Sequence, residues 1–259
     1  DEIVREGRRI AERGYEEVIL TGVQLGAYGD EWKGNPGLVD VLEALAEISG
    51  IARIRLSSID PSDVTERLVH LMEKEPKLCP HLHLPLQSGD DEILKRMKRA
   101  YRARPYARLV EELRARVTDF CLTTDVMVGF PGEEEGHFQR TLEVLRETVP
   151  LKIHIFPFSP REGTPAAQFK DTVKSTVQRE RVKRLEQCAA VLARRYQEQF
   201  LGREMQVIGE ERKEGCLEGR TMNYLRVSYP AEASLLKQRV NVKLCRIGPA
   251  CLLGELITN

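Results

Sequence analysis

Along the first 200 residues, segments with a helical spacing of apolar residues alternate with segments that have the spacing of β-strands. Segments with apolar residues three or four positions apart, such as 37–50, 105–117 and 133–148, predict amphipathic helices. Short apolar or alternating runs between them, such as 81–87 and 121–130, predict β-strands. Strands that alternate with helices favour a sheet of parallel strands joined by crossover helices.

The predicted strands have one apolar and one polar face. In the strand over 81–87, three leucines share one side, whereas the other side carries His81, His83 and Gln87. A doubly wound sheet is covered by helices on both faces and is apolar on both. The polar face therefore predicts a partial βα barrel of the TIM type with a ligand inside. Because the chain enters a helix first, we expect the first barrel strand upstream of it.

Small and polar residues follow each predicted strand. In βα barrels, ligands bind at the carboxyl ends of the strands, so these ends predict one shared site. They read TG at 21–22, SS at 57–58, QSG at 87–89, GFPGE at 129–133 and FSPREGT at 158–164.

The pattern changes near residue 201. Residues 203–259 lack helical periodicity and carry short alternating strands between glycine turns. This is typical of a small, OB-like β-barrel. We therefore predict an α/β domain over 1–201 and an all-β domain over 202–259.

Charge and composition exclude some partners. The 40 basic and 40 acidic residues cancel, so any nucleic-acid site must be local. No apolar run approaches the ~18 residues that span a bilayer, and no signal-peptide pattern is present. We expect a cytoplasmic monomer with no membrane contact.

The six cysteines are scattered, no two being closer than six positions. Zinc and iron–sulfur sites usually place ligands two to four residues apart, so we predict no metal ligands among them. Buried free thiols are the expected state.

Several stretches occur together in one known family. They are LTGVQLGAYG (20–29), RLSSIDP (55–61), HLHLPLQSGDDEILKRMKRAY (81–101), TTDVMVGFPGE (123–133) and FPFSPREGTPA (156–166). GRTMNYLRV (219–227) and LLGEL (252–256) resemble that family's TRAM domain. The chain thus resembles the radical SAM methylthiotransferases over essentially its whole length. The first two stretches most resemble the type that acts on threonylcarbamoyladenosine in tRNA; the isopentenyladenosine and ribosomal-protein types typically differ there.

The resemblance implies the cofactors and the reaction. Family members hold two 4Fe–4S clusters, cleave S-adenosyl-L-methionine to a 5′-deoxyadenosyl radical and insert a methylthio group at adenine C2 of the tRNA anticodon stem-loop. The family's CxxxCxxC cluster loop is missing from this chain, which we expect to begin just downstream of it. We therefore expect the chain alone to be inactive, to hold no cluster and to bind the cofactor weakly.

The resemblance also implies which residues contact the cofactor. Because the chemistry belongs to the cofactors, we assign no catalytic residue. A buried Asp125 needs a ligand or a basic residue as its partner, and Arg53 and Arg55 are the structural candidates. The expected cofactor-binding residues are Thr21, Gly22, Ser57, Ser58, Gln87, Asp125, Val126, Gly129, Phe156 and Phe158.

For tRNA, the segment 95–108 combines seven basic residues with Tyr101 and Tyr106, a mix that binds phosphates and stacks on bases. The alternative is that this segment is an ordinary solvent-exposed basic surface with no role in RNA binding. The expected substrate-binding residues are Arg99, Arg161, Arg220, Asn223, Tyr224 and Arg226.

A methylthiotransferase of the isopentenyladenosine-tRNA or ribosomal-protein type remains an alternative. Two functions outside this family also remain open from the sequence. One is a zinc-dependent βα-barrel hydrolase that uses His81, His83 and His154; we favour inner-face positions for these histidines because zinc needs at least three protein ligands and no further strand-end ligands follow. The other is a non-enzymatic RNA-binding protein built on the β-domain and the basic segment.

Overall fold

The computed structural model describes residues 2–29 and 37–257. Its helices are α1 (Glu2–Glu12), α2 (Leu38–Ala46), α3 (Glu66–Lys74), α4 (Asp91–Arg96), α5 (Ala103–Arg116), α6 (Glu135–Thr148) and α7 (Ser175–Glu198). Its strands are β1 (Glu17–Leu20), β2 (Arg53–Leu56), β3 (His81–His83), β4 (Cys121–Val128), β5 (Lys152–Pro157), β6 (Glu204–Lys213), β7 (Cys216–Thr221), β8 (Arg226–Pro230), β9 (Arg239–Ile247) and β10 (Leu252–Leu256).

The first five strands are parallel and lie side by side in chain order. β1 pairs with β2, and β3, β4 and β5 form a second ladder. Bridges between Ile54 and Leu78 and between Ser58 and His83 join the two ladders. This is the parallel α/β arrangement that the sequence predicts. We call α1 to α7 with these strands the α/β-domain.

The apolar face of this sheet packs against the helices. Leu82, Leu84 and Leu86 have no exposed surface, as expected from their alternation with polar neighbours. From α5, Tyr106, Val110 and other residues at helical spacing are buried against the sheet. Each such side chain contributes about 1.5–3 kcal/mol by leaving water, so this layer holds the α/β-domain together.

Two predicted elements are shorter than expected. The strand over 81–87 is regular only to His83, because Pro85 has no N–H to donate to the ladder. The helix over 90–100 ends at Arg96, and Lys98 follows in the left-handed region at φ 57°.

The last five strands form a closed barrel in the order β10-β8-β7-β6-β9. Val207, Leu217, Val227, Val242 and Leu252 fill it and are fully buried. Closure leaves no free sheet edge, which makes a stable unit of so few residues possible. We call β6 to β10 the β-domain.

Two buried arginines join the domains. Arg53 donates to the carbonyls of Arg220 (3.0 Å) and Gln206 (2.8 Å). Arg55 donates to Glu17 at 2.9 Å and to the carbonyls of Met222 (3.0 Å) and Thr221 (3.2 Å). Both lie on the polar face of β2, which begins at Arg53, and His81 at the start of β3 stacks on Tyr224 from the turn after β7. The β-domain therefore covers the amino end of the parallel strands and leaves their carboxyl ends open.

Among the described residues, no helix is long and apolar enough to cross a membrane.

We expect Arg53→Met to lower the free energy of unfolding by about 2–4 kcal/mol, because it leaves two buried carbonyls without donors. Chemical denaturation followed by circular dichroism measures this. The matched control is Arg67→Met, since Arg67 is half exposed and forms surface ion pairs with Asp40 and Glu43, which add little. Equal losses in both variants would show that the interdomain bonds are unimportant.

Candidate functional site

The polar face of β3, β4 and β5 carries a connected row of side chains. Thr123 Oγ1 lies 3.0 Å from both His81 Nε2 and His83 Nδ1. His83 Nε2 lies 3.2 Å from Asp125 Oδ1, and the His83 and His154 rings meet edge to face at 5.6 Å. The strand register produces this row, since His83 is opposite Thr123 and Asp125 is opposite His154.

The hydrogen-bond partners assign the tautomers in this row. A carboxylate only accepts, so a neutral His83 ring presents Nε2–H to Asp125 and its Nδ1 accepts from the Thr123 hydroxyl. That hydroxyl has one proton, so its oxygen accepts from His81 Nε2–H. The buried His81 Nδ1 is then a bare acceptor, and it has no hydrogen-bond partner among the described residues. Burial and the nearby Arg55 hold the pKa of His81 well below its usual range, which keeps the ring neutral.

The partner of Asp125 is His83. The alternative in which Arg53 or Arg55 satisfies this carboxylate is wrong, because both arginines are bound to Glu17 and to the β-domain. Strand order explains the error: the arginines lie on β2, whereas His83 lies on the strand adjacent to Asp125. The Asp125 side chain remains 23% exposed, so it can still meet a ligand.

Gln87 continues the ladder in an unusual conformation. Its N–H donates to the Asp125 carbonyl at 2.8 Å, and its carbonyl accepts from Met127 at 2.9 Å. Its φ is 61°, in the left-handed region that non-glycine residues seldom adopt. Strain of this kind concentrates at functional sites, and Gln87 lines the cavity described next.

A cavity of about 540 Å³ lies at the carboxyl ends of β3, β4 and β5. Phe156 is 49% exposed, and the Phe130 and Phe158 rings meet edge to face at 5.2 Å. The cavity thus combines ring faces with positive charge, which suits a planar ligand bearing an anionic group. Its aromatic and basic lining residues are Arg96, Lys98, Arg99, Phe130, Phe156, Phe158, Arg161 and Phe169.

Val126 is not on the inner face. It is fully buried on the helix side of β4, whereas Met127 lines the cavity. The Val126 side chain therefore does not point into the cavity, as simple alternation from Asp125 indicates. Only the Val126 backbone remains available to a ligand.

The loop after β4 is fixed by contacts that sequence reasoning missed. Gly129 has φ +74°, and a Cβ there would lie 2.3 Å from Gln178 Cγ on α7. The buried Glu133 accepts from the Gly129 N–H at 3.0 Å and from Arg181 at 2.6 Å. Burial raises the pKa of Glu133, and these two bonds oppose the rise. The GFPGE motif was the available signal for this loop.

Thr21, Gly22, Ser57 and Ser58 follow β1 and β2 at the same end of the sheet. Thr21, Gly22 and Ser58 are exposed, and the Ser57 N–H donates to the Leu20 carbonyl at 3.0 Å. They share the carboxyl edge with Gln87 but do not line the 540 Å³ cavity.

Of the residues expected to bind tRNA, Arg99 and Arg161 lie at this cavity. Arg220, Tyr224 and Arg226 line a second cleft of about 540 Å³ between the two domains. Tyr224 stacks on His81 at 4.1 Å, so it also holds the domain interface.

Asn223 does not belong to an RNA surface. It is fully buried, donates to the Tyr196 hydroxyl at 3.2 Å and lies 2.5 Å from the Thr221 hydroxyl. Tyr101 and Tyr106 are likewise buried and donate to the carbonyls of Pro85 (2.8 Å) and Leu84 (3.0 Å). The proposed base stacking on these tyrosines is wrong, because composition alone does not show which way a ring points.

The profile of the radical SAM superfamily matches residues 1–145. The chain belongs to this superfamily.

Two curated relatives of this radical SAM chain are tRNA-modifying enzymes. Threonylcarbamoyladenosine tRNA methylthiotransferase MtaB of Thermotoga maritima is 41% identical over 76% of the chain and 45% of its own length. The tRNA-2-methylthio-N(6)-dimethylallyladenosine synthase of Geobacillus kaustophilus is 38% identical over 99% of the chain and 49% of its own length. The chain spans about half the length of these relatives.

A solved structure supports the fold of the radical SAM chain. Coproporphyrinogen III oxidase (HemN) of Escherichia coli superposes with a TM-score of 0.57 at 14% identity, covering 90% of this chain and 58% of that one. At this identity the likeness concerns the fold alone.

Membership of the radical SAM superfamily implies S-adenosylmethionine and a 4Fe–4S cluster. The described residues do not fit a cluster, since their candidate metal-binding groups contain no cysteine. Burial raises the pKa of Cys79 to about 11 and of Cys121 to about 12, so both thiols stay protonated. The strand ends do fit a nucleoside cofactor, because the strained Gln87 and the ring of Phe156 line one cavity there, and the next inner-face residue of β4 before Met127 is the partly exposed Asp125.

We expect Gly129→Ala to destabilise the radical SAM chain by about 1 kcal/mol more than Gly163→Ala. Both glycines have positive φ, but a Cβ at 163 meets nothing within 4 Å, so the control isolates the conformational cost. The excess comes from displacing Gln178, which donates to the Gly129 carbonyl at 3.1 Å. Thermal and denaturant unfolding measure both variants. Equal effects would contradict a close contact between this loop and α7.

Proposed function

We propose that the chain comprises the α/β-domain and the β-domain of a tRNA methylthiotransferase that modifies C2 of threonylcarbamoyladenosine next to the anticodon. The names of the curated relatives support methylthiolation of tRNA adenosines. These names specify two different modified adenosines, so the substrate of this chain must be inferred from the residues of its site. The enzyme would act as a monomer on the anticodon stem-loop.

The cavity at the carboxyl ends is the observation that favours threonylcarbamoyladenosine. The threonylcarbamoyl group ends in a carboxylate, whereas the dimethylallyl group is an uncharged hydrocarbon. Arg99 and Arg161 line the cavity beside the aromatic rings. An arginine bonds a carboxylate strongly, whereas a hydrocarbon group offers it no acceptor.

The cofactor would lie against the strand ends. Gln87 and Asp125 offer an amide and a carboxylate to the amine and hydroxyl groups of S-adenosylmethionine, and Phe156 and Phe158 offer faces for adenine. Thr21, Gly22, Ser57 and Ser58 would complete the edge, with Gly129 and the Val126 backbone beside it. When bound, the cofactor and two 4Fe–4S clusters supply the radical and sulfur chemistry. The chain's own residues orient the reactants and exclude water.

The β-domain would act as a TRAM domain that contacts the tRNA. Lys152 and Arg194 line the interdomain cleft with Arg220, Tyr224 and Arg226, which places basic and aromatic groups together. Within the β-domain, Arg220 pairs with Glu210, and Arg226 pairs with Glu211 and Glu218. Arg194 on α7 also pairs with Glu198. Changing Lys152 and Arg194 on the α/β-domain tests this cleft without altering the ion pairs of the β-domain.

The two clefts lie at opposite ends of the parallel strands. Helix α7 links them with 24 residues, or about 36 Å. A stem-loop that contacts both must place its adenine in the carboxyl-end cavity. Taking the base out of its stack costs a few kcal/mol, which the phosphate contacts would offset.

We expect Arg161→Leu in the full-length enzyme to reduce 2-methylthio-threonylcarbamoyladenosine at least tenfold, since a charged hydrogen bond contributes about 1.5–3 kcal/mol. Nucleoside mass spectrometry of tRNA from a complemented strain lacking its own enzyme measures the product. The control is Arg108→Leu, an exposed arginine outside the cavity. Methylthiolation of isopentenyladenosine by the unmutated enzyme, or of no tRNA, would refute the substrate assignment.

We expect the double change Lys152→Glu and Arg194→Glu to weaken tRNA binding by the full-length enzyme at least tenfold, and to flatten its salt dependence, with cofactor cleavage retained. Arg5→Glu with Arg8→Glu on the exposed side of α1 is the control. Removal of the whole β-domain is a poor test, because it also removes the carbonyl groups that bond Arg53 and Arg55 and so destabilises the α/β-domain. Unchanged affinity in the first variant would exclude the interdomain cleft as an RNA surface.

A further inference from the structure

We propose that His83, Asp125 and His154 form a binding site for a divalent transition metal ion, with Zn²⁺ as the best fit. One ligand atom from each residue lies within 4.8 Å of the other two. All three are half-buried on the inner face of the α/β-domain. The trio differs from the one considered from the sequence, because His81 bonds Thr123 and is covered by Tyr224.

The spacing of the ligand atoms suits zinc. With zinc–ligand bonds of about 2.0–2.1 Å, tetrahedral coordination puts ligand atoms about 3.3–3.5 Å apart. His83 Nε2 and Asp125 Oδ1 are already 3.2 Å apart. Small rotations of the His154 side chain would bring its ligand nitrogen to a similar distance from His83 Nε2 and from Asp125 Oδ1. The ligands come from three adjacent strands, β3, β4 and β5, and rigid elements of this kind hold a site well.

Thr123 supplies the outer contact that such a site requires. A histidine that binds metal through one nitrogen normally donates its other N–H to a fixed acceptor. With zinc on Nε2, His83 would carry its proton on Nδ1, 3.0 Å from Thr123 Oγ1. A hydroxyl oxygen has two lone pairs, so it can accept from His83 and from His81 together.

Two imidazoles and one carboxylate select the class of ion. Imidazole suits zinc, copper, nickel and iron, whereas magnesium and calcium prefer oxygen ligands. Three protein ligands leave a fourth position for water toward the barrel interior.

The second candidate group, Asp90, Glu92 and His137, is a poorer site. Asp90 already accepts from two backbone N–H groups at the start of α4 and from Arg140. The Glu92 side chain is 81% exposed.

Bound zinc would also prevent Asp125 from contacting the cofactor, a consequence that rests on the proposed function. Zinc binding itself does not depend on the proposed function, because it uses only residues of this chain. Zinc binding that succeeds while the tRNA assays fail would therefore separate the two proposals.

The test uses the untagged chain, stripped of metal and kept reduced. Calorimetric titration with Zn²⁺ should give one site, and Co²⁺ should give the visible absorption of a tetrahedral nitrogen and oxygen site. His83→Gln, Asp125→Asn and His154→Gln should each weaken Zn²⁺ binding at least tenfold, with circular dichroism confirming that they fold. His137→Gln and Cys245→Ser are the controls and should bind as the unmutated chain does.

Three results would overturn the proposal. The first is a calorimetric titration that shows no stoichiometric binding of Zn²⁺ to the unmutated chain. The second is binding that survives all three substitutions. The third is a cobalt spectrum with thiolate charge transfer that disappears in Cys245→Ser.

Discussion

Arg53 and Arg55 lie on the inner face of a parallel sheet, where a charge without partners would cost several kcal/mol. Their five hydrogen bonds to Glu17 and to β-domain carbonyls remove that cost. Four of the acceptors are backbone carbonyls of β6, of β7 and of the turn after β7, so these bonds fix where the β-domain sits. The rest of the architecture follows, since one end of the strands is covered and the other is left for ligands.

The inner face changes character along the strands. At the amino end the arginines and His81 are buried and bonded within the protein. In the middle, Thr123 links His81 to His83, and His83 bonds the partly exposed Asp125. At the carboxyl end, Gln87 is strained and Phe156 is half exposed around an open cavity. Polar residues at the amino end thus stabilise the structure, whereas those at the carboxyl end remain able to bind a ligand.

Local pattern predicted the parts of this structure that depend on neighbours in the chain. Alternation placed the leucines of 82–86 against the helices, and strand-end residues indicated the open edge. The His83–Asp125 pair depends on which strands are adjacent, which one sequence does not show. The tyrosines at 101 and 106 and Asn223 were misassigned because their residue types suit RNA binding, and only tertiary packing reveals that they are buried.

The central claim is that the reacting adenine enters at the carboxyl ends of the strands, opposite the β-domain. Photocrosslinking of the full-length enzyme to an anticodon stem-loop with a photoreactive adenosine analogue at the modified position tests this directly. The account predicts crosslinked peptides that contain Met127 or the segment 156–161. Crosslinks confined to the β-domain, for example to 216–226, would contradict it.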